Sequence, residues 1–494
     1  MKYLRLFNKE LTSRKDAWVV IFFVLIFILF RMPSLVEPYW YGDEGIYQVI
    51  GKALNSGRIL YQGIWDNKPP ILYYIYALFN GDQFFVRALS LVVGSFSVIA
   101  FYYLGKILFS NKKSIILSTA IYVLLFATPL IEGNIANAEN FMHLPIILSA
   151  ILVFKFLDNK KLRYIFFSGV LLSIALMTKI VAVFEFTAFL IFLLASLHLI
   201  DFKKAKEFLN FKKIKPFALF LLGFLTLFIL FILYFASLNA LPDFLRGVLS
   251  ENIDYVGVEN NFLFPMGVLL IKIIIAASLI FLILIKRENL SRSALFIYIW
   301  LVLALFSTFF SQRPYMHYVL MTALPFSYFM GSIIEEKKHR VIKILAAIFL
   351  VLIVYLNFGI YKKLFSYYDN YIKFILYEKR VDDYQLFFDS NTPRDYELAR
   401  FIDMFSRERD YDVFLWSDSG QIYALSDTLP PGKYIVAYHI TYYNNAINYI
   451  ISEIEKAKPT YIIQTKKEFE IKRFLPSYVL KYRIRDANIY ERQN

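Results

Sequence analysis

The sequence predicts a polytopic α-helical membrane protein that ends in an extracytoplasmic α/β domain. Three observations lead there. Of the 494 residues, 58% are hydrophobic and 19% aromatic, where a soluble domain holds roughly 45–50% apolar residues. That surplus must face lipid. Apolar runs of membrane length recur as far as about residue 361, with the basic residues gathered between them. Beyond about residue 362 charges become frequent, and short strand-like runs alternate with helical ones, the pattern of a small α/β domain. The division expected is therefore a membrane domain over 1–362 and an outer domain over 363–494.

The first apolar run covers residues 17–36 behind a polar segment with Lys2, Arg5, Lys9, Arg14 and Lys15. A cleaved signal peptide is the competing reading. No small-residue cleavage site follows the run, so it reads as an uncleaved helix with a cytoplasmic N-terminus. Further runs lie at 84–109, 114–131, 141–158, 163–178, 180–200, 216–239, 266–285, 294–311, 316–334 and 342–361, about eleven spans in all. Threaded this way, the strongly basic connections at 112–113, 160–163, 203–215, 286–292 and 337–343 all fall on one side. The positive-inside rule makes that side cytoplasmic; the membrane expected is a bacterial-type plasma membrane. The opposite side receives residues 37–83, 132–140, 240–265, 312–315 and the C-terminal region.

The large first outer loop, 37–83, contains YGDEGIYQVIGKALNSGRILYQGIWDNKPP at 41–70. Ile46, Val49, Ile50, Ala53 and Leu54 repeat at helical spacing, so residues 44–57 read as an amphipathic helix suited to a membrane interface. Gly57 ends it. A second helix, about 71–80, follows Lys68-Pro69-Pro70, because proline suits a helix's first turn. In the C-terminal region, strands are expected at Asp412–Ser417, Tyr434–His439, Thr460–Thr465 and Tyr478–Ile484. Helices are expected at about 394–407, 419–426 and 445–457.

The absence of cysteine excludes disulfides and thiolate chemistry. A net charge of +15 suggests nucleic acid, but the clustering of basic residues between apolar runs argues against that partner. The remaining chemistry sits in the outer segments. Asp43 and Glu44 form an acidic pair just beyond the first span. Such a pair can act as a base, bind a cation or simply be solvated; Trp40, Tyr41 and Gly42 favour function. A carboxylate in a partly dry cleft can take a proton from an attacking hydroxyl, with Glu44 sharing that work or holding the loop. Lys68, fixed before two prolines, suits a lipid phosphate, and Arg58 is a weaker group of the same type. Arg313 lies at the outer end of a span beside Tyr315, His317 and Tyr318. It can grip phosphate bidentately or merely snorkel to the interface. Glu139 can supply a second carboxylate or cap a helix start, with Glu132 and Asn140 as competitors. Arg87, Lys179, Glu185 and Lys272 lie in or near spans, where ionisable groups are functional candidates. His143 and His439 are isolated and read as structural. No spacing marks a metal site.

The stretches YGDEGIYQVIGKAL, GRILYQGIWDNKPPILYYIYALF and VRALSLVVG resemble the first outer loop of the protein O-mannosyltransferase superfamily, glycosyltransferase family 39, which includes bacterial lipid A aminoarabinose transferases. ALMTK and RPYMHYVLMTALP are similar to later landmarks of that group. The resemblance covers roughly residues 17–335 and implies the GT-C fold and sugar transfer from a polyprenyl monophosphate, with inversion. It implies Asp43 as the catalytic carboxylate and Glu44 as its neighbour. It further implies Tyr47, Lys68, Arg313 and His317 as partners of the donor phosphate, and an acidic role for Glu139. Membrane lipids and a glycan, lipid or protein acceptor are the implied partners. A monophosphate leaving group does not require a metal, and a divalent cation is compatible with it. The rival readings are a polymerase or ligase of lipid-linked glycans, and a transporter or flippase. Transport is disfavoured because no inverted repeat is apparent.

Overall fold

The computed structural model describes residues 14–197, 199, 211–253, 260, 267–336, 338–405, 412–442, 446–466 and 469–493. The basic segments 1–13 and 201–210 and much of the 240–265 loop lie outside these residues. The chain divides into two compact units. The first comprises 1–32, 89–233 and 250–364, and the second 33–88, 234–249 and 365–494.

Each apolar run is a helix. In chain order these are α1 (Arg14–Arg31), α4 (Gln83–Leu108), α5 (Lys112–Ala127), α6 (Ala138–Asn159), α7 (Leu162–Thr178), α8 (Ala182–Ser196), α9 (Phe211–Ser237), α10 (Gly267–Ile285), α11 (Arg292–Thr308), α12 (Val319–Glu335) and α13 (Arg340–Phe358). Two further helices, α2 (Gly42–Asn55) and α3 (Pro70–Ala77), lie in the 37–83 loop between α1 and α4. Among the described residues, seven helices are long and apolar enough to cross a membrane by themselves, and three shorter apolar helices join them. The protein is an integral membrane protein.

Local signals set the boundaries. The Asn111 side chain accepts from the Lys113 amide at 2.9 Å and starts α5. The Ser291 hydroxyl does the same for Ala294 at 3.1 Å and starts α11. Within the first unit, α7 and α9 cross at Gly169 and Gly223. A Cβ on Gly169 would meet the Phe220 carbonyl oxygen at 2.3 Å, and one on Gly223 the Phe166 carbonyl oxygen at 2.2 Å. Only glycine permits this approach, the small-residue packing expected of helices in lipid. Phe101 stacks between Tyr122 and Tyr328, with ring centroids 4.2 and 4.0 Å away. By contrast α10 and α13 leave Leu270, Ile274, Leu282, Ile348 and Leu356 exposed, as lipid-facing helices do.

The second unit contains α2 (Gly42–Asn55) and α3 (Pro70–Ala77), followed later by α14 (Leu364–Ile375), α15 (Val381–Phe388) and α16 (Thr392–Phe405). Next come β1 (Val413–Trp416), α17 (Gln421–Leu425), α18 (Ala437–Tyr442), α19 (Ala446–Ala457), β2 (Tyr461–Gln464), β3 (Tyr478–Ile484) and β4 (Ala487–Arg492). The sheet order is β1-β2-β4-β3. β1 and β2 are parallel, and the other pairs antiparallel.

Two expectations need correction. Residues 434–439 form no strand. The Lys433 carbonyl accepts from the Trp65 amide at 2.9 Å, the Ala437 amide donates to Ser417, and the run turns into α18. A short apolar run does not by itself distinguish a strand from a buried helix end. Nor is α2 an interfacial helix. Residues Glu44 to Gly51 are all buried, because glycines open two of its faces to close packing. A Cβ on Gly45 would stand 2.5 Å from the Gln421 amide nitrogen of α17, and one on Gly51 2.7 Å from the Tyr76 carbonyl carbon of α3.

Candidate functional site

In the second unit, α2 and the loop before α3 bring Asp43, Tyr47 and Lys68 together. Asp43 lies in the first turn of α2, where the helix dipole favours a carboxylate. The Tyr47 hydroxyl, one turn on, donates to Asp43 Oδ2 at 3.0 Å. Lys68 Nζ lies 3.7 Å from Asp43 Oδ2 and 3.4 Å from Asp66 Oδ2, and 4.9 Å from the centre of the Tyr47 ring. The lysine's main chain is clamped on both sides. Its carbonyl accepts from the Tyr61 hydroxyl at 2.7 Å, and its amide donates to the Tyr73 hydroxyl at 3.1 Å. Tyr73 in turn donates to Asp66 at 2.7 Å. With Pro69 and Pro70 behind it, the lysine sits on a rigid base. Burial raises the phenol pKa of Tyr47, Tyr61 and Tyr73 well above normal, so all three remain donors. Asp43 is the accessible carboxylate, its side chain 31% exposed against 4% for Asp66.

Asp66 and His439 were not singled out as site residues from the sequence. His439 Nε2 lies 3.7 Å from Asp66 Oδ1, and the imidazole meets Trp65 edge-on at 5.1 Å. DNKPP offered a signal for Asp66 in its closeness to Lys68; nothing local marks His439. Burial lowers the His439 pKa to about 4. Asp66, Asp43 and Asp418 pull it upward less strongly, and Lys68 reinforces the fall. The unfolded chain takes up this proton near pH 6.5 and the folded chain only near 4. Stability is therefore lost as pH falls through that window, by up to about 3 kcal/mol. Unfolding midpoints in detergent between pH 4 and 7 should fall less steeply for His439→Gln than for the parent. Parallel curves would refute the assignment.

Two expected site residues are committed elsewhere. Glu44 is 1% exposed and gripped by Arg87, whose Nε reaches Glu44 Oε1 at 3.0 Å and whose Nη2 pairs with Oε2. It holds the loop, and Arg87 does not snorkel. The Arg58 guanidinium donates to the carbonyls of Gly63, Gly432 and Pro430 at 3.3, 3.0 and 2.6 Å. It ties the first outer loop to the C-terminal region.

The first unit holds a polar cluster of its own residues. Glu139, at the start of α6, pairs with Lys179, the residue that ends α7. Lys179 Nζ also stands 4.5 Å from the centre of the Tyr318 ring. His317 Nδ1 meets Glu132 Oε2 at 3.0 Å, and Tyr315 stacks on the imidazole at 5.7 Å. The Thr308 and Thr322 hydroxyls, 2.7 Å apart, pin the ends of the loop that carries these rings. Arg313 is half-buried on that loop. The Asn140 amide nitrogen donates to the Gly133 carbonyl at 2.8 Å. His143 is structural, between the Tyr122 hydroxyl and the Leu320 carbonyl, each at 3.1 Å. Glu185 accepts from the Trp300 indole, and Lys272 donates to Asn260 at 2.9 Å. Among the described residues, no three His, Asp or Glu side chains gather as a metal site.

Residues 67–234 match the family of dolichyl-phosphate-mannose-protein mannosyltransferases. That segment includes Lys68, Glu139 and Lys179; Asp43 precedes it. No curated protein matches the chain in sequence. Among solved structures, ArnT from Cupriavidus metallidurans bound to undecaprenyl phosphate aligns at 12% identity. The alignment covers 96% of this chain and 98% of ArnT, with a TM-score of 0.56. Its apo form aligns at 13% identity over 97% and 98%, also at 0.56. The family match is confined to residues 67–234, about a third of the chain, while the fold of ArnT is shared along nearly the whole length.

Proposed function

We propose that the protein is a membrane glycosyltransferase that moves a sugar from a polyprenyl monophosphate to an acceptor hydroxyl on the extracytoplasmic face. The observation that carries this reading is the placement of Lys68 beside Asp43. An anchored ammonium and an accessible carboxylate sit side by side in the second unit. Lys68 provides a preorganised cation for the lipid phosphate. Asp43 accepts the proton of the attacking hydroxyl. The new bond forms from the acceptor oxygen to the anomeric carbon as the bond from that carbon to phosphate breaks. The polyprenyl phosphate leaves with the bonding pair. Attack opposite the leaving group inverts the anomeric centre. Tyr47 orients Asp43, and Asp66 with Tyr73 holds Lys68. The ArnT structure with undecaprenyl phosphate supports a lipid-phosphate donor, and the charge pattern of the loops supports the outer face. In the first unit, Arg313 and His317 are the groups suited to an anion, with Tyr315 and Tyr318 lining the same loop; Glu139 is held by Lys179.

Reconstitution with a panel of polyprenyl-phosphate sugars, following release of polyprenyl phosphate, tests the reading directly. Lys68→Ala should weaken donor use about ten- to a hundredfold, the worth of roughly 1.5–3 kcal/mol for a charged hydrogen bond. An unchanged donor KM and rate would remove Lys68 from the phosphate site.

A further inference from the structure

We infer that α14 is an interfacial helix whose outward face lies in the lipid headgroup layer and links the bilayer to the helix that carries Asp43. The helix has two opposed faces. Tyr367 and Asn370 are buried, and Phe374 stacks on Tyr384 with ring centroids 3.9 Å apart. On the opposite side Phe365, Ile372, Ile375 and Leu376 are exposed, Phe365 to 89%. These residues recur at the spacing of a single helical stripe. Tyr377, just past the end, is 95% exposed. Asp369, paired with Lys373 at 2.7 Å, lies on the same face, so the outward side combines large apolar side chains with a charged pair, as a helix among headgroups does.

Chain connectivity selects the occupant. α13 crosses the apolar layer and ends at Phe358, and α14 begins at Leu364. The link between them, 359–363, reaches at most roughly 18 Å. The helix therefore starts no farther than that from the end of α13, near enough to reach the headgroup region, which adds several ångströms to each side of the hydrocarbon core. Lys362 and Lys363 precede the stripe and Lys373 flanks it, all exposed, as interfacial anchors do. The inner face is wired to α2. The Tyr367 hydroxyl donates to Glu37 at 2.5 Å, Glu37 pairs with Arg87 at 2.9 Å, and Arg87 holds Glu44, the neighbour of Asp43. The helix at the membrane surface thus belongs to the rigid frame of α2.

The cysteine-free sequence allows single labels without background. In the full-length protein in lipid nanodiscs, nitroxides on F365C, I372C and L376C should collide with oxygen and be shielded from a water-soluble nickel chelate. A label on S366C, a quarter-turn away from the stripe, should show the reverse. Nickel access at 365, 372 and 376 equal to that at 366 would overturn the inference. A second measurement uses unmodified protein: a lipid carrying a diazirine near its headgroup should label the α14 peptide, and absence of labelling there would also overturn it. Neither readout depends on sugar transfer, so each stands apart from the proposed activity.

Discussion

Asp43→Asn should abolish sugar transfer while leaving the protein folded. A positioned general base contributes about 10²- to 10⁴-fold in rate, so the expected loss is of that order in kcat, with little change in donor KM. The fold should tolerate the change. The Asp43 side chain is about a third exposed and its contact with Lys68 is 3.7 Å, a pairing worth at most about 1 kcal/mol. The amide keeps an oxygen for the Tyr47 hydroxyl. Asp66→Asn separates the base from its neighbour. Asp66 is buried and already holds the Tyr73 hydroxyl and Lys68, so it acts as a positioning residue. Its replacement should raise donor KM through Lys68 more than it lowers kcat. Release of polyprenyl phosphate, followed at saturating and at limiting donor, reads both parameters. Full kcat in Asp43→Asn together with its collapse in Asp66→Asn would transfer the role of base to Asp66.

The membrane helices were legible because lipid imposes a length and composition that the chain displays directly. The amphipathic period of α2 was equally visible, but what covers it was not. Gly45 and Gly51 read as ordinary helix residues until the backbones that approach them are known. The acidic pair shows a similar limit. Asp43 and Glu44 are adjacent in sequence, yet successive residues on a helix point about 100° apart. One meets Lys68 and the other Arg87. Lys68 stood out through its two prolines. His439 did not, because its partner Asp66 comes from a distant part of the chain. β4 was missed because ANIYER alternates weakly, and its pairing with β2 and β3 supplies what its composition lacks.

The largest effect on stability should come from Arg87. The guanidinium is fully buried and gathers four acceptors: both oxygens of Glu44, Glu37 Oε2 at 2.9 Å and the Ser34 carbonyl at 2.6 Å. Glu37 also accepts from the Trp40 indole at 2.9 Å and the Tyr367 hydroxyl. The cluster therefore joins the segment before α2, α2 itself, the start of α4 and α14. Arg87→Leu leaves Glu37 and Glu44 buried without their cation, a loss of about 3–5 kcal/mol. Arg87→Lys should recover little, since one ammonium cannot reproduce the fork that spans both carboxylates. The triple variant Arg87→Leu/Glu37→Gln/Glu44→Leu removes the uncompensated charges together and should regain most of the loss, because desolvation offsets much of what a buried ion cluster contributes. Unfolding midpoints of the detergent-solubilised protein decide the matter. If the single and triple variants unfold together, lost packing rather than stranded charge sets the cost. If both unfold with the parent, the cluster does not hold α2 in place, and the rigid position assigned to Asp43 loses its support.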